Sequence, residues 1–177
     1  MQNMVEVTID SIRVSLMSPH RLVILKDMSS ERFLPIWIGL CESDAITAEL
    51  QGQGATRPLT HDLLKNMIAA LGGRVVQIIV NDLRDDVFFA RIVIDLNGRT
   101  LEVDSRPSDA LALAVRVRVP IYVADTVMDR AAIMPDQEIE ADPTNAPALD
   151  AAPTDDRLSI FQDFLDTLDF DEDEDDK

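Results

Sequence analysis

Apolar and polar positions alternate in short stretches through the first 134 residues and predict a mixture of strands and helices. Val5, Val7 and Ile9 alternate with Glu6, Thr8 and Asp10, and the apolar phase then slips to Ile12, Val14 and Leu16. A strand that changes face by one residue carries an extra residue in its ladder, so a β-bulge is predicted near Asp10-Ser11. "RLVILKD" and "RFLPIWIG" read as the second and third strands, and residues 41–51 as a helix that ends at Gly52. "LTHDLLKNMIAALGG" is the clearest helix. Thr60 is placed as its N-cap, Leu59 and Leu64 as a staple around the cap, and Gly72-Gly73 as its stop. "RVVQIIVNDL" follows as a strand.

The next hairpin can be registered residue by residue. "VFFARIVIDL" and "RTLEVD" flank Asn97-Gly98, the preferred pair for a two-residue type I′ turn. That turn sets Ile94 opposite Leu101 and Ile92 opposite Val103 on one apolar face. On the other face it sets Arg91 opposite Asp104, Val93 opposite Glu102 and Asp95 opposite Thr100, so Arg91 and Asp104 are expected to pair. A helix from Pro107 to about Val117, a strand "PIYVAD" and a short helix "DTVMDRAAI" complete an α+β domain over residues 1–134. Its sheet is expected to be largely antiparallel or mixed, with helices packed on it.

The pattern breaks at Met134-Pro135. Residues 135–157, rich in Pro, Asp and Ala, read as a flexible acidic linker. Within 158–177, Leu158, Phe161, Phe164, Leu165 and Leu168 fall on one helical face ahead of the acidic run "DEDEDDK". That helix is expected to dock on its own domain, a neighbouring subunit or a protein partner.

Composition refines this picture. Hydrophobic residues make up 46% of the chain and aromatics only 5%, so the core is aliphatic. The single cysteine, Cys41, excludes an internal disulfide framework, suits a reducing cytosol and is expected as a small buried side chain. No run approaches the roughly 18 apolar residues of a membrane helix, and the first residues lack the basic-then-apolar order of a signal peptide, so a cytoplasmic location is expected. The net charge of −17 is uneven. Residues 1–134 hold 14 Lys and Arg against 17 Asp and Glu, and residues 135–177 hold 2 against 16. The domain is close to neutral and can still present a local anion site. The tail would compete there as a nucleic-acid mimic.

The candidate chemistry gathers at helix starts. In "VDSRPSDALALAVR", Pro107 takes the first helical position and makes Arg106 the N-cap by place, although a guanidinium carries only donors. Asp109 at N3 is expected to reach back to the Arg106 N–H. "RPLTHDLL" repeats the arrangement with Arg57-Pro58. Two helix N-termini, each with an arginine, suggest phosphate or carboxylate binding by Arg57 and Arg106, with Ser108 beside them. His61 is a candidate general acid or base, or a metal ligand. Asp62 is explained by the helix dipole and is also carried as a candidate. Glu42, Asp104 and Asp109 would hold Mg²⁺ or Mn²⁺ if they converge, with Asp62 as a further carboxylate. No EF-hand, zinc motif, P-loop or G-x-S-x-G elbow is present.

Three segments, "LPIWIGLCESDAI", "RPLTHDLLKNMIAALGGRV" and "SRPSDALALAVRVRVPIYV", together with "DDVFFARIVID", resemble the bifunctional nuclease (BFN) domain family over about residues 4–133. "FQDFLDTLDF" is similar to a helix that some bacterial members carry after the domain. Ser43-Asp44 departs from the small residues the family would place after Glu42. The resemblance implies a compact oligomeric α/β fold, and some members are described as nucleases acting on DNA and RNA. It carries Glu42, Arg57, His61, Asp62, Asp104, Arg106, Ser108 and Asp109 as matching positions. A phosphodiester hydrolase is therefore one expectation, with weak and salt-sensitive substrate binding because the domain has only two lysines. A non-enzymatic oligomeric module is the second, and a small-anion or nucleotide sensor the third.

Overall fold

The computed structural model describes residues 3–14 and 20–134. The linker, amphipathic helix and acidic run expected at 135–177 lie outside the described residues. The elements in chain order are β1 (Met4–Val14), β2 (Arg21–Asp27), β3 (Phe33–Ile38), α1 (Leu40–Leu50), α2 (Thr60–Ala70), β4 (Gly73–Arg84), β5 (Val87–Leu96), β6 (Arg99–Ser105), α3 (Pro107–Val117), β7 (Ile121–Ala124) and α4 (Asp125–Ala131). Among the described residues the strands form one seven-stranded sheet in the order β3-β2-β1-β7-β4-β5-β6. Every neighbouring pair is antiparallel except β4 and β7, which run parallel. The fold is the expected α+β class, with a mixed sheet.

The bulge falls where the phase slip placed it. Ile9 lies opposite Leu25 and Ser11 opposite Ile24, which leaves Asp10 as the extra residue. The β5–β6 register also matches residue for residue, and Asn97 and Gly98 both take the positive φ of a type I′ turn, 53° and 83°. Burial on the two strands differs. Ile92 is buried, whereas Leu101 and Val103 are exposed, because β6 is the sheet edge. The side-chain pairing differs too. Arg91 sits beside Asp104 in the ladder, but its guanidinium turns to Glu102 at 2.6 Å.

The core is aliphatic. Val23, Leu25, Leu34, Ile36, Ile46, Ile78, Val80, Leu111, Leu113 and Val123 are all nearly or fully buried in one cluster. Helix α3 is buried along most of its length, while α2 packs through Leu64 and Ile68 and leaves Leu63, Met67 and Leu71 exposed.

One buried carboxylate closes the β2–β3 turn. Asp27 accepts hydrogen bonds from the Ser29 N–H and Oγ at 2.8 Å each, Ser30 Oγ at 2.6 Å and Arg32 Nε at 3.1 Å. Arg32 also reaches Asp129 of α4 at 3.3 Å. Burial alone would raise the Asp27 pKa, but the donors from Ser30, Ser29 and Arg32 outweigh it and hold the carboxyl well below the usual carboxylate range. A depressed folded-state pKa contributes stability that is complete above the unfolded value, about 3.9, and is lost as pH falls through the folded value. The urea midpoint should therefore change little from this group between pH 7 and 5 and fall below about pH 4. In Asp27→Asn it should be lower at pH 7 and show a shallower acid decline. Parallel pH curves for the two proteins would contradict this account.

Candidate active site

Helices α1, α2 and α3 meet above the sheet, and their N-terminal ends enclose an open cleft of about 700 Å³. It is lined by Cys41, Glu42, Asp44, Ala45 and Ala48 of α1, by Pro58 to His61 at the start of α2, and by Arg106 and Asp109 at the start of α3. Of the candidate site residues, Glu42, His61, Arg106 and Asp109 share this cleft. Arg57 does not line it, although the adjacent Pro58 does.

The two Arg-Pro helix starts are not equivalent. Pro107 is the first residue of α3 and Arg106 its N-cap, in extended backbone geometry, as the sequence predicts. At α2 the N-cap is Leu59, not Thr60, which puts Arg57 two residues ahead of the cap on the exposed connection. Asp62 thereby moves to N3, and its Oδ2 accepts the Leu59 N–H at 2.9 Å. Asp109, also at N3, behaves differently. It turns to the Arg106 guanidinium, accepting from Nε at 2.8 Å on Oδ2 and from Nη2 at 3.1 Å on Oδ1, and no side-chain bond caps α3. An arginine at the cap offers its neighbour a charged donor that outcompetes a backbone N–H.

Arg106 is the hub of the cleft. Its Nη2 also donates to Glu42 Oε1 of α1 at 2.6 Å, so one nitrogen bridges carboxylates from two helices. The hydrogen bond to Asp109, more than the burial that opposes it, raises the Arg106 pKa and keeps the group a permanent cation. Burial would raise the Asp109 pKa, but Arg106 and then His61 lower it below the usual carboxylate value. His61 is nearly buried, at 8% exposure, and its Nε2 lies 3.4 Å from Asp109 Oδ1. With the proton on Nε2, this arrangement orients the ring and leaves Nδ1 as the acceptor.

Gly39, the N-cap of α1, sets the position of Glu42. A Cβ on Gly39 would collide with the Glu42 carboxylate, which folds back over it. In the sequence Gly39 shows only as the last residue of "RFLPIWIG".

Arg116 was also missed. Its side chain, 2% exposed, donates from Nε to Asp62 Oδ1 at 2.9 Å, from Nη1 to Ala112 O at 2.7 Å and from Nη2 to Ala45 O at 3.1 Å. It therefore ties together the three helices that carry the cleft. Asp62, held by the Leu59 N–H and by Arg116 and with its pKa lowered by them against its burial, is a structural carboxylate here and does not line the cleft. The "AVRVRV" context gives no hint of this burial, because the acceptors come from other helices.

The remaining candidates separate. Asp104 is exposed on β6 and Ser108 is buried in α3, and neither lines the cleft. Among the described residues no three His, Cys, Asp or Glu side chains are grouped to hold a metal ion, so the set Glu42, Asp104 and Asp109 is not assembled. Glu42 and Asp109 do converge, but with the guanidinium between them. Glu42 Oε1 and both Asp109 oxygens accept from that guanidinium, so a divalent cation held by these carboxylates would have to take its place. Cys41 is exposed in the cleft wall, not buried. Ser43 is buried and Asp44 lines the cleft, so the departure after Glu42 puts one polar group inside and one carboxylate on the site.

The bifunctional nuclease domain profile matches residues 23–136, which covers α1, α2, α3 and every residue of this cleft. The chain belongs to the bifunctional nuclease domain family. An uncharacterized protein of Mycobacterium tuberculosis is 37% identical over 163 residues, 92% of this chain and 94% of its own length. Bifunctional nuclease 1 of Oryza sativa subsp. japonica is 29% identical over 110 residues, 60% of this chain but 33% of its own length. Bifunctional nuclease 1 of Arabidopsis thaliana is likewise 29% identical over 110 residues, and the match covers 34% of it. The plant proteins named as nucleases thus match this chain over 60% of its length and about a third of their own.

Proposed function

We propose that this BFN domain hydrolyses phosphodiester bonds of DNA or RNA in the α1–α2–α3 cleft. The observation that carries this reading is the convergence of His61, Asp109 and Arg106 on one cleft, with Asp109 touching both of the others. Arg106 binds a non-bridging phosphate oxygen, His61 takes a proton from the attacking water and returns it to the leaving oxygen as that P–O bond breaks, and Asp109 holds the imidazole in orientation. Arg57, on the connection beside the rim, engages a neighbouring phosphate. Mg²⁺ or Mn²⁺, brought with the phosphate and held by Glu42 and Asp109, would supply charge neutralisation at the reacting phosphoryl group.

Glu42, Asp44 and Asp109 face the single cleft guanidinium, so substrate binding is expected to be weak. The assay therefore belongs at low ionic strength, with labelled single-stranded DNA and RNA, with Mg²⁺, Mn²⁺ or EDTA. Cleavage should copurify with the protein in constant ratio and fall at least about tenfold in Asp109→Asn, which keeps the side-chain volume but loses the charge that orients His61. Cleavage unchanged in that variant would assign the activity to a contaminant.

The second reading is a non-enzymatic homo-oligomeric module, favoured by the exposed Leu63, Met67 and Leu71 on α2 and Leu101 and Val103 on the β6 edge. It predicts no cleavage in any of these conditions.

A further inference from the structure

We infer that Glu42 acts as an internal competitor for the phosphate position at Arg106, and that Gly39 is the positioning residue that lets it do so. This rests on the reading of Arg106 as the phosphate-binding group. Arg106 is 56% exposed and faces open cleft, so its charge is available to a ligand, while Glu42 is 17% exposed and approaches it from the opposite helix. The 2.6 Å contact puts a carboxylate oxygen where a phosphate oxygen would sit on Nη2. Asp109, three residues away on its own helix turn, accepts from Nε and shares Nη2 with Glu42. Of the two carboxylates, Glu42 is the one whose reach depends on another residue's missing side chain. The Gly39 backbone, at φ −70° and ψ 162°, suits any residue, so glycine is not needed there for conformation. A side chain at 39 would meet Glu42 Oε2, whereas Oε1, the oxygen on Arg106, would lie 3.7 Å away, so the substitution acts by turning the carboxylate at its free end.

Phosphate binding is therefore an exchange, in which one anion replaces another on the same guanidinium nitrogen. Removing the competitor strengthens binding by no more than a partly exposed ion pair contributes. Two routes remove it. Glu42→Gln deletes the charge, and Gly39→Ala keeps the charge but pushes it off Arg106.

The test is the affinity of the full chain for a fluorescein-labelled oligothymidylate in EDTA at low ionic strength. Fluorescence anisotropy would be measured for the wild type, Glu42→Gln, Gly39→Ala, Arg106→Ala and Arg106→Ala/Glu42→Gln. Glu42→Gln and Gly39→Ala should each bind about 3- to 5-fold more tightly, and Glu42→Gln should give no gain once Arg106 is alanine. A gain in Glu42→Gln but not in Gly39→Ala would reduce the effect to general charge and overturn the assignment. Equal affinities, or binding by none of the five proteins, would overturn it as well. Cleavage is not the readout, so a wild-type protein that binds the oligonucleotide but cleaves nothing with Mg²⁺ or Mn²⁺ would sink the hydrolase reading and leave this one standing.

Discussion

Arg116→Met is expected to destabilise the domain by about 3 kcal/mol, the lower part of the range for breaking a buried ion pair. The change removes a 2%-exposed guanidinium, leaves one Asp62 oxygen without its donor and reduces the Ala45 and Ala112 carbonyls to their helix partners. Methionine fills most of the volume, so the loss is chiefly polar and not a cavity effect. For a domain of this size the melting temperature should fall by roughly 10 °C. Arg116→Lys should recover only part of it, because an ammonium cannot serve three acceptors from one plane. The Asp62→Asn/Arg116→Met double variant should be clearly less unstable than the sum of the singles, since each removes the same contact. A melting-temperature change under about 3 °C for Arg116→Met would show that the helices are held by their apolar faces alone.

His61→Ala is expected to lower kcat for oligonucleotide cleavage by about 10²- to 10⁴-fold, the usual contribution of a positioned acid–base group. Substrate affinity should change far less, because Arg106 and Arg57 are untouched. His61 is nearly buried, so alanine also leaves a void that costs stability. His61→Gln separates the two effects by keeping the volume and an amide toward Asp109 while removing the titrating group. Both variants should lose activity, the glutamine variant with a near-wild-type melting curve. Full cleavage by folded His61→Gln would remove His61 from the chemistry.

The parts of this molecule that were legible in the sequence are those set by local rules. The Asn97-Gly98 turn allows one register, so every β5–β6 pair followed from it, and Pro107 marked the first residue of α3. The Asp10 bulge was readable because one extra residue flips a whole apolar face. What failed was the choice among partners that only tertiary approach brings within reach. Arg91 takes Glu102 over the directly opposed Asp104, and Asp109 takes a guanidinium over a backbone N–H. Arg116 and Gly39 were invisible for the same reason, since their roles depend on Asp62 and Ala45 in one case and on the path of the Glu42 side chain in the other. Of the eight positions the family resemblance carries, the cleft gathers Glu42, His61, Arg106 and Asp109 and leaves Arg57, Asp62, Asp104 and Ser108 outside its lining.

The sheet order has a consequence for how the cleft comes into being. Strands β1 to β3 carry α1 with Glu42, whereas β4 to β6 sit with α2 and α3, which carry His61, Arg106 and Asp109. The two sets of strands are sewn together by β7, whose four residues pair with Met4–Val7 on one side and Ile78–Val80 on the other. A chain that stops before Ile121 holds every residue of the cleft but leaves the two halves of the sheet unjoined. Pairing of the first strand with the last closes the longest loop in the sheet, so the two halves are expected to be joined late in folding.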